Sequence, residues 1–417
     1  MNNLFVKKNT KYKLLKNCLC CKSNHINLLL DLGIQPLAND FHKLNETCDI
    51  FPLQLIICND CFHCQLFNIV DPNILFKNYK YVSGTSNTGL EFFKNNAQFI
   101  NEYYETKFKN NYKTKKILDI ACNDGSQLDY FKELGWDTFG IDPATNICPI
   151  ALNKGHKIIC DFFNMNSIKM FDKMDVILAQ NVFAHTEYID EFLKACKCIM
   201  HEKSSLFIQT SQKDMIINGE FDTIYHEHIS FFNTNSMNIL VTQNGLQLNR
   251  VLEKDIHGKS YMFEINLKKN EELYNVDNYI NYERNIGLYQ MDTYNKFKIN
   301  AENIIYNIKV LINNYVDKGF KCIGFGAAAK GQTILCYGNI QLDYIIDENP
   351  LKIGLYSPKL NIPIVGLEHF AKDPCEKIAI IILAWNFESE IKQKITNLDK
   401  YGEICIIDNY FEAPKNF

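Results

Sequence analysis

Apolar residues along this chain fall into short runs punctuated by turn residues, in two stretches of strand, turn and helix separated by a polar stretch with helical spacing. The first run, Lys115-Lys-Ile117-Leu-Asp119-Ile, ends in an acidic residue and breaks into Ala121-Cys122-Asn123-Asp124-Gly125-Ser126. Leu128, Phe131 and Leu134 then line one face of a predicted helix that Gly135 closes. A second strand, Thr138–Ile141, stops at Asp142-Pro143, and a third, Met174–Ala179, runs out into Gln180-Asn181-Val-Phe183-Ala-His185. The next helix carries Ile189, Phe192, Leu193, Cys196 and Met200, and a fourth strand follows at Ser205–Thr210. This alternation predicts a doubly wound α/β sheet with its ligand crevice at the carboxyl ends of the strands.

Beyond about residue 268 the chain turns rich in Asn, Tyr, Lys and Glu, and its spacing through Tyr315 predicts one or two connecting helices. A second unit then opens at Lys321-Cys-Ile-Gly324-Phe-Gly326-Ala-Ala-Ala329-Lys330-Gly331-Gln-Thr333. The strand Leu342–Ile346, ending at Asp347, and the runs Lys377–Ala384 and Ile404–Ile407 complete a smaller parallel sheet. Here G-x-G-x-x-A with a later acidic residue matches the dinucleotide pattern, a weak signal alone. Lys330 opens the helix, where an ammonium and free backbone N–H groups together suit the phosphates of any nucleotide. A nucleotide-sugar pyrophosphate, a nicotinamide dinucleotide and a purely structural lobe all stay open for this unit. The turn at 121–126 differs: it has one glycine and offers carboxylates where a phosphate would be repelled. It suits an adenosine with a positively charged sulfonium tail, S-adenosylmethionine, with Asp142 placed to accept hydrogen bonds from the ribose diol.

At 417 residues the chain exceeds one core and predicts two to four domains. A net charge of -4 and pI near 6.2 give no whole-molecule attraction for nucleic acid, and the lysine runs at 7–16 and 107–116 read as solvated arms. No apolar run reaches the length of a membrane span and no secretory h-region follows Met1, so a cytoplasmic protein that spans no membrane is expected. The 16 cysteines then read as thiols and metal ligands, not disulfides. Cys18-x2-Cys21 and Cys58-x2-Cys61 have the spacing of a closed four-thiolate structural zinc site, with Cys20, Cys48, His63 and Cys64 as spare ligands nearby.

The most concentrated chemistry lies in Phe221-Asp-Thr-Ile-Tyr225-His226-Glu227-His228-Ile-Ser-Phe-Phe232, where two imidazoles, a phenol and a carboxylate sit between apolar flanks. Such a cluster can move protons near neutral pH. It lacks the one-turn histidine spacing of the helical zinc motif, and zinc has a better home in the four cysteines.

Taken together, these cysteine pairs with Leu-Gly-x-Gln-Pro-Leu (32–37), Asn-Asp-Gly (123–125), Asn-Val-x-Ala-His (181–185), Phe-Asp-Thr-Ile-Tyr-His-Glu-His (221–228), His257-Gly258 with Ser260, and Gly326-Ala-x-Ala-Lys-Gly-x-Thr333 resemble the sugar C-3 methyltransferases of deoxysugar biosynthesis, over nearly the whole chain. The resemblance implies an α/β chain in three parts: a zinc-binding lobe (1–70), a Rossmann-like class I S-adenosylmethionine methyltransferase domain (71–268) and, after a helical connector (269–316), a Rossmann-like lobe that helps hold a nucleotide sugar (317–417). It implies Tyr225, Glu227, His228, His185 and Tyr81 as active-site positions. The donor would meet Asp119, Cys122, Asn123, Asp124, Gly125, Asp142, Pro143, Asn181 and Phe183. The substrate, a nucleotide-linked 4-keto sugar, would meet His257, Ser260, Gly326, Ala329, Lys330, Gly331, Thr333 and Asp347. The chain departs from the family at Gln209-Thr-Ser-Gln212 and at Gly258-Lys259-Ser260-Tyr261-Met262, both near the expected sugar pocket, which leaves the sugar and the methylated position open. Carbon methylation beside a ketone needs a base on one side and donors to the enolate oxygen on the other. His228 is expected as the base, oriented or tuned by Glu227, with Tyr225 or His185 as the donor. O- or N-methylation, or a methyltransferase fused to a reductase, are the alternatives, and a monomer or small homo-oligomer is expected.

Overall fold

Alternating burial builds the first lobe. The computed structural model describes residues 11–410 except 78, 80, 81, 86, 109–114, 211–214, 257, 258, 399 and 409, so Tyr81 and His257 lie outside the described residues. Strands β1 (Tyr12–Leu14), β2 (Ile26–Pro36), β3 (Ile50–Cys58), β4 (Cys64–Leu66) and β5 (Asn68–Val70) make up this lobe. β3 turns Phe51, Leu53, Leu55 and Ile57 inward at the two-residue period of a strand. β2, β3 and β4 pair antiparallel, and the sheet gains a fourth strand from far along the chain, β11 (Ser230–Phe231), paired with Gln65 and Cys64. That strand begins two residues after His228.

The central sheet contains β6 (Lys115–Ile120), β7 (Trp136–Ile141), β8 (Lys157–Ile159), β9 (Met174–Gln180), β10 (Met200–Thr210), β12 (Gln247–Lys254) and β13 (Ser260–Asn266) in the order β12-β13-β10-β9-β6-β7-β8. Ile117 of β6 sits beside Thr138 of β7 on one side and Val176 of β9 on the other, so the strand order reverses at β6. A crevice therefore opens beyond the carboxyl ends of β6 and β9. Covered on both faces, β6 and β9 are buried through their middles, with Ile117, Leu118, Ile177 and Leu178 fully buried. β13 runs antiparallel to β10 and closes the sheet toward β12.

The polar stretch forms helices Val276–Asn285 and Met291–Asp317, the latter burying Tyr294, Phe297, Ala301, Ile304, Ile308 and Ile312 along one stripe. The last sheet is all parallel: β14 (Lys321–Phe325), β15 (Ile345–Ile346), β16 (Ile364–Val365), β17 (Lys377–Ile382) and β18 (Glu403–Ile407), in the order β16-β15-β14-β17-β18. One apolar cluster runs from Leu30 of the first lobe through Phe221 and Ile224 to Ile304, Leu335 and Ile345, so the three parts share a core. Among the described residues no helix is long and apolar enough to cross a membrane.

Candidate active site and metal centre

The four sulfurs of Cys18, Cys21, Cys58 and Cys61 lie within 4.8 Å of one another, with Cys18 to Cys61 at 3.6 Å and Cys21 to Cys58 at 3.4 Å. Tetrahedral zinc at its usual sulfur distance spaces ligands by about 3.8 Å, so these thiols fit the ion with little adjustment. Of the spare ligands, His63 turns its Nε2 to the Ser230 hydroxyl at 3.3 Å and stays outside the cluster. The second cysteine turn is docked on the central domain, because the Asn233 amide donates to the carbonyls of Cys61 and Phe62 while its oxygen caps the helix Thr234–Gln243.

A single cavity of about 1590 Å³ runs from the carboxyl ends of β6, β7 and β9, past His185, Tyr225, Glu227 and His228, to the first turn of the helix Ala329–Gly338. One small-molecule pocket typically occupies about 300–1,000 Å³, so this cavity has room for two ligands end to end.

At its first end, Ala121, Asn123 and Gly125 all take left-handed backbone angles, which folds the turn tightly under the strand tips. Asp119, Cys122, Asn123, Asp142, Pro143 and Asn181 line the cavity. Three expected donor residues do not. Asp124 is turned back onto the Ser126 hydroxyl at 2.8 Å. Gly125 packs against His156, whose ring a Cβ would meet at 2.9 Å. Phe183 is a core residue stacked on Phe232, 5.2 Å between centroids. Asp142 accepts backbone N–H bonds from Asn123 and Ala144, at 2.9 and 2.8 Å, yet burial still holds its carboxyl above the usual range. Burial, with the charge of Asp142 beside it, lifts Asp119 to about 8. Two acids that burial holds above their usual range, and an Asn181 amide oxygen with no partner among the described residues, give this end a demand for positive charge and N–H donors.

In the middle of the cavity, His228 Nδ1 lies 2.8 Å from the Thr223 carbonyl. A carbonyl only accepts, so Nδ1 carries a proton, and in the neutral ring Nε2 is the lone-pair nitrogen. The Tyr225 hydroxyl lies 2.8 Å from that nitrogen. His185 lies over the ring of His228, centroids 5.1 Å apart, and stacks on Phe76 at 5.9 Å. One edge of His185 faces the cavity, but desolvation by its surroundings pushes its pKa down to about 4, so it is neutral. The expectation that Glu227 orients His228 is corrected, because the Thr223 backbone does so. Glu227 instead accepts from the Asn39 amide at 2.7 Å and the Tyr79 hydroxyl at 2.9 Å, and burial raises its pKa. His226 points away, its Nε2 facing the Pro52 carbonyl at 3.3 Å.

At the far end, Gly326, Ala329, Lys330 and Asp347 line the cavity together with Lys352, Trp385 and Asn386. Gly331, Thr333 and Ser260 do not. A Cβ on Gly331 would meet Leu383 at 2.6 Å, and one on Gly326 would meet Ala384 at 2.4 Å, so both glycines serve close packing within the lobe. Thr333 donates to the Ile224 and Ala329 carbonyls, and Ser260 to the Ile256 carbonyl. Asp347 is largely consumed by the N–H groups of Ala327 and Asn349, at 2.7 and 2.8 Å. Sequence reading missed Asn39, Tyr79 and Trp385. Asn39 sits two residues beyond the Leu32–Leu37 motif and Tyr79 two before Tyr81, and that adjacency was the available signal.

Three family models match the chain in series: a zinc-binding domain over 18–76, a methyltransferase domain over 92–251 and a C-methyltransferase C-terminal domain over 255–408. C-methyltransferase NovU of Streptomyces niveus is 25% identical over 389 residues, 90% of either protein. Ubiquinone biosynthesis O-methyltransferase of Rhodopseudomonas palustris is 31% identical over 127 residues, 28% of this chain and half of that protein's length. The crystal structure of the plantazolicin methyltransferase BpumL with S-adenosylhomocysteine overlaps 44% of this chain and 87% of its own at 19% identity and a TM-score of 0.36, too distant to inform the site.

Proposed function

We propose, for a chain that belongs to the S-adenosylmethionine-dependent C-methyltransferases with an N-terminal zinc-binding domain, that the substrate is a nucleotide-linked 4-keto sugar methylated at C-3. The observation that carries this reading is the setting of His228 at the centre of the cavity, with Nδ1 held by the Thr223 carbonyl and Nε2 turned to a phenol. That pairing supplies what a carbon nucleophile needs, a base and a hydrogen-bond donor on one spot.

His228 Nε2 takes the proton from C-3, and the Thr223 carbonyl, already accepting from Nδ1, steadies the imidazolium that results. Tyr225, its hydroxyl turned from that nitrogen to the bound sugar, donates to the oxygen at C-4 as negative charge grows there. Neutral His185 packs over His228 and keeps a second cation out of the pocket. Glu227, held by Asn39 and Tyr79, accepts from a sugar hydroxyl and fixes the ring. Asp119, Asp142 and Asn181 hold the donor's polar ends. S-adenosylmethionine, when bound, supplies the sulfonium methyl that the enolate carbon takes, leaving S-adenosylhomocysteine. Lys330, Lys352 and the first turn of the helix Ala329–Gly338 face the diphosphate. Zinc held by Cys18, Cys21, Cys58 and Cys61 is structural, with all four positions filled by protein.

The test is incubation with labelled donor and a panel of 4-keto nucleotide sugars, read by mass spectrometry, alongside exchange of the C-3 hydrogen in deuterated water without donor. Carbon methylation with His228-dependent exchange supports the reading. A methyl found on oxygen or nitrogen, or transfer with no exchange, refutes it.

A further inference from the structure

The short 3-10 turn Phe221–Thr223 does two jobs with adjacent residues. Its Thr223 carbonyl holds His228, and its Asp222 side chain reaches the other way, accepting the Trp385 indole N–H at 2.7 Å. Trp385 belongs to the loop after β17, in the last lobe, 163 positions along the chain. Its ring lines the far end of the cavity, and the Lys330 ammonium lies over it, 4.1 Å from the ring centroid. A carboxylate, an indole N–H, a ring face and an ammonium therefore stack in sequence from the catalytic turn into the cavity. The next residue adds a second tie, because the Thr333 hydroxyl of the helix Ala329–Gly338 donates to the Ile224 carbonyl at 3.3 Å.

Asp222 is an expensive way to make a structural contact. It is fully buried, and its second oxygen has no hydrogen-bond partner among the described residues. A buried carboxylate with one N–H partner costs more than it returns unless a nearby cation offsets it. A cation in range is Lys330, which acts on Asp222 across the indole and, among the described residues, also reaches Asn386 at 3.4 Å. The charge of Asp222 thus serves to hold an ammonium over the ring, inside the cavity, at a set distance from the catalytic turn.

We propose that Asp222 is a positioning residue for the substrate's nucleoside diphosphate: through the Trp385 indole it fixes Lys330, and so sets the spacing between the diphosphate and His228. The inference rests on reading the cavity as a nucleotide-sugar site, and it deepens that reading by naming what keeps the two ends in register.

The experiment is a double-mutant cycle in the full-length, zinc-loaded protein with Asp222→Asn, Trp385→Phe and the pair together. Dissociation constants for thymidine and uridine diphosphate and for S-adenosylmethionine are measured by calorimetry, with KM for the converted keto sugar and the melting temperature. Each single change is expected to weaken the better-bound nucleoside diphosphate and raise KM by about tenfold, the value of a charge-assisted hydrogen bond and the ion it orders. The double variant should be no worse than either single one, and donor affinity should hold. Additive losses in the cycle, unchanged nucleoside diphosphate affinity, or donor affinity falling in step with it would each overturn the proposal. Wild-type protein that binds a nucleoside diphosphate through Asp222 yet methylates no keto sugar would refute the reaction and leave this inference standing. Wild-type protein that binds neither nucleotide refutes both.

Discussion

Donor binding should release a proton. In the unliganded protein Asp119, at the carboxyl end of β6, has its pKa raised to about 8 by burial and by Asp142, so at pH 7 about nine molecules in ten carry a proton there. A ligand bearing an ammonium and a sulfonium favours the ionised form, so the complex holds Asp119 charged. Free protein then binds the extra proton and the complex does not. The sign follows: affinity rises with pH below about 8 and levels off above it, by up to about tenfold per unit, or about 1.4 kcal/mol. Calorimetric titration of S-adenosylmethionine at pH 6, 7 and 8, in buffers of different ionisation enthalpy, reads affinity and proton release together. The donor's own amino group also titrates, so the informative quantity is the difference between wild type and Asp119→Asn. Wild type should release close to one more proton at pH 7 than the variant, and its affinity should climb more steeply from pH 6 to 8. Equal slopes, or equal proton release, would show that Asp119 is not the group whose charge the donor satisfies.

Replacing His228 with Asn should cut turnover by about a hundredfold or more, the usual worth of a positioned base, while calorimetry shows donor affinity unchanged. Asn39→Ala and Tyr79→Phe each take one donor from buried Glu227; kcat/KM should fall by about tenfold, and the acid limb of its pH profile should move upward because the carboxylate loses support. Burial holds His226 at about 4, so the unfolded chain takes up a proton there first as pH falls. Stability should therefore drop by up to about 3 kcal/mol between pH 6.5 and 4, and denaturant melts of His226→Gln should lack that part of the slope. Stripping zinc with a chelator should lower the melting temperature and abolish turnover together, although no cysteine of the cluster lines the cavity.

What could be read from the chain was whatever depends on near neighbours. The cysteine pairs were legible because two thiols three positions apart belong to one turn, and β6, its turn and Asp142 because periodicity and strand ends are local patterns. Contacts across the chain left little trace. Glu227 meets Asn39 across 188 positions and Tyr79 across 148, and no spacing rule joins them. The group that orients His228 is the Thr223 backbone carbonyl, which any residue there could supply, so residue identity pointed to Glu227 instead. Phe183 and Ser260 were placed with ligands because they lie within the motifs at 181–185 and 257–260. The strand period turns Ser260 inward to the Ile256 carbonyl, and Phe183 faces the core in the half-turn before His185.

The strand Ser230–Phe231, borrowed from just past the catalytic block, bears on how this protein can be taken apart. A fragment ending after the cysteine lobe would lose that outer strand and bare the row of backbone groups on β4 that it now satisfies. Such an open edge recruits whatever extended segment is near, another copy included. A fragment starting after the lobe would leave Ser230 and Phe231 unpaired, two residues from His228. The lobe and the 221–232 segment thus form one structural piece, and swapping lobes between relatives should succeed only when that segment travels with them.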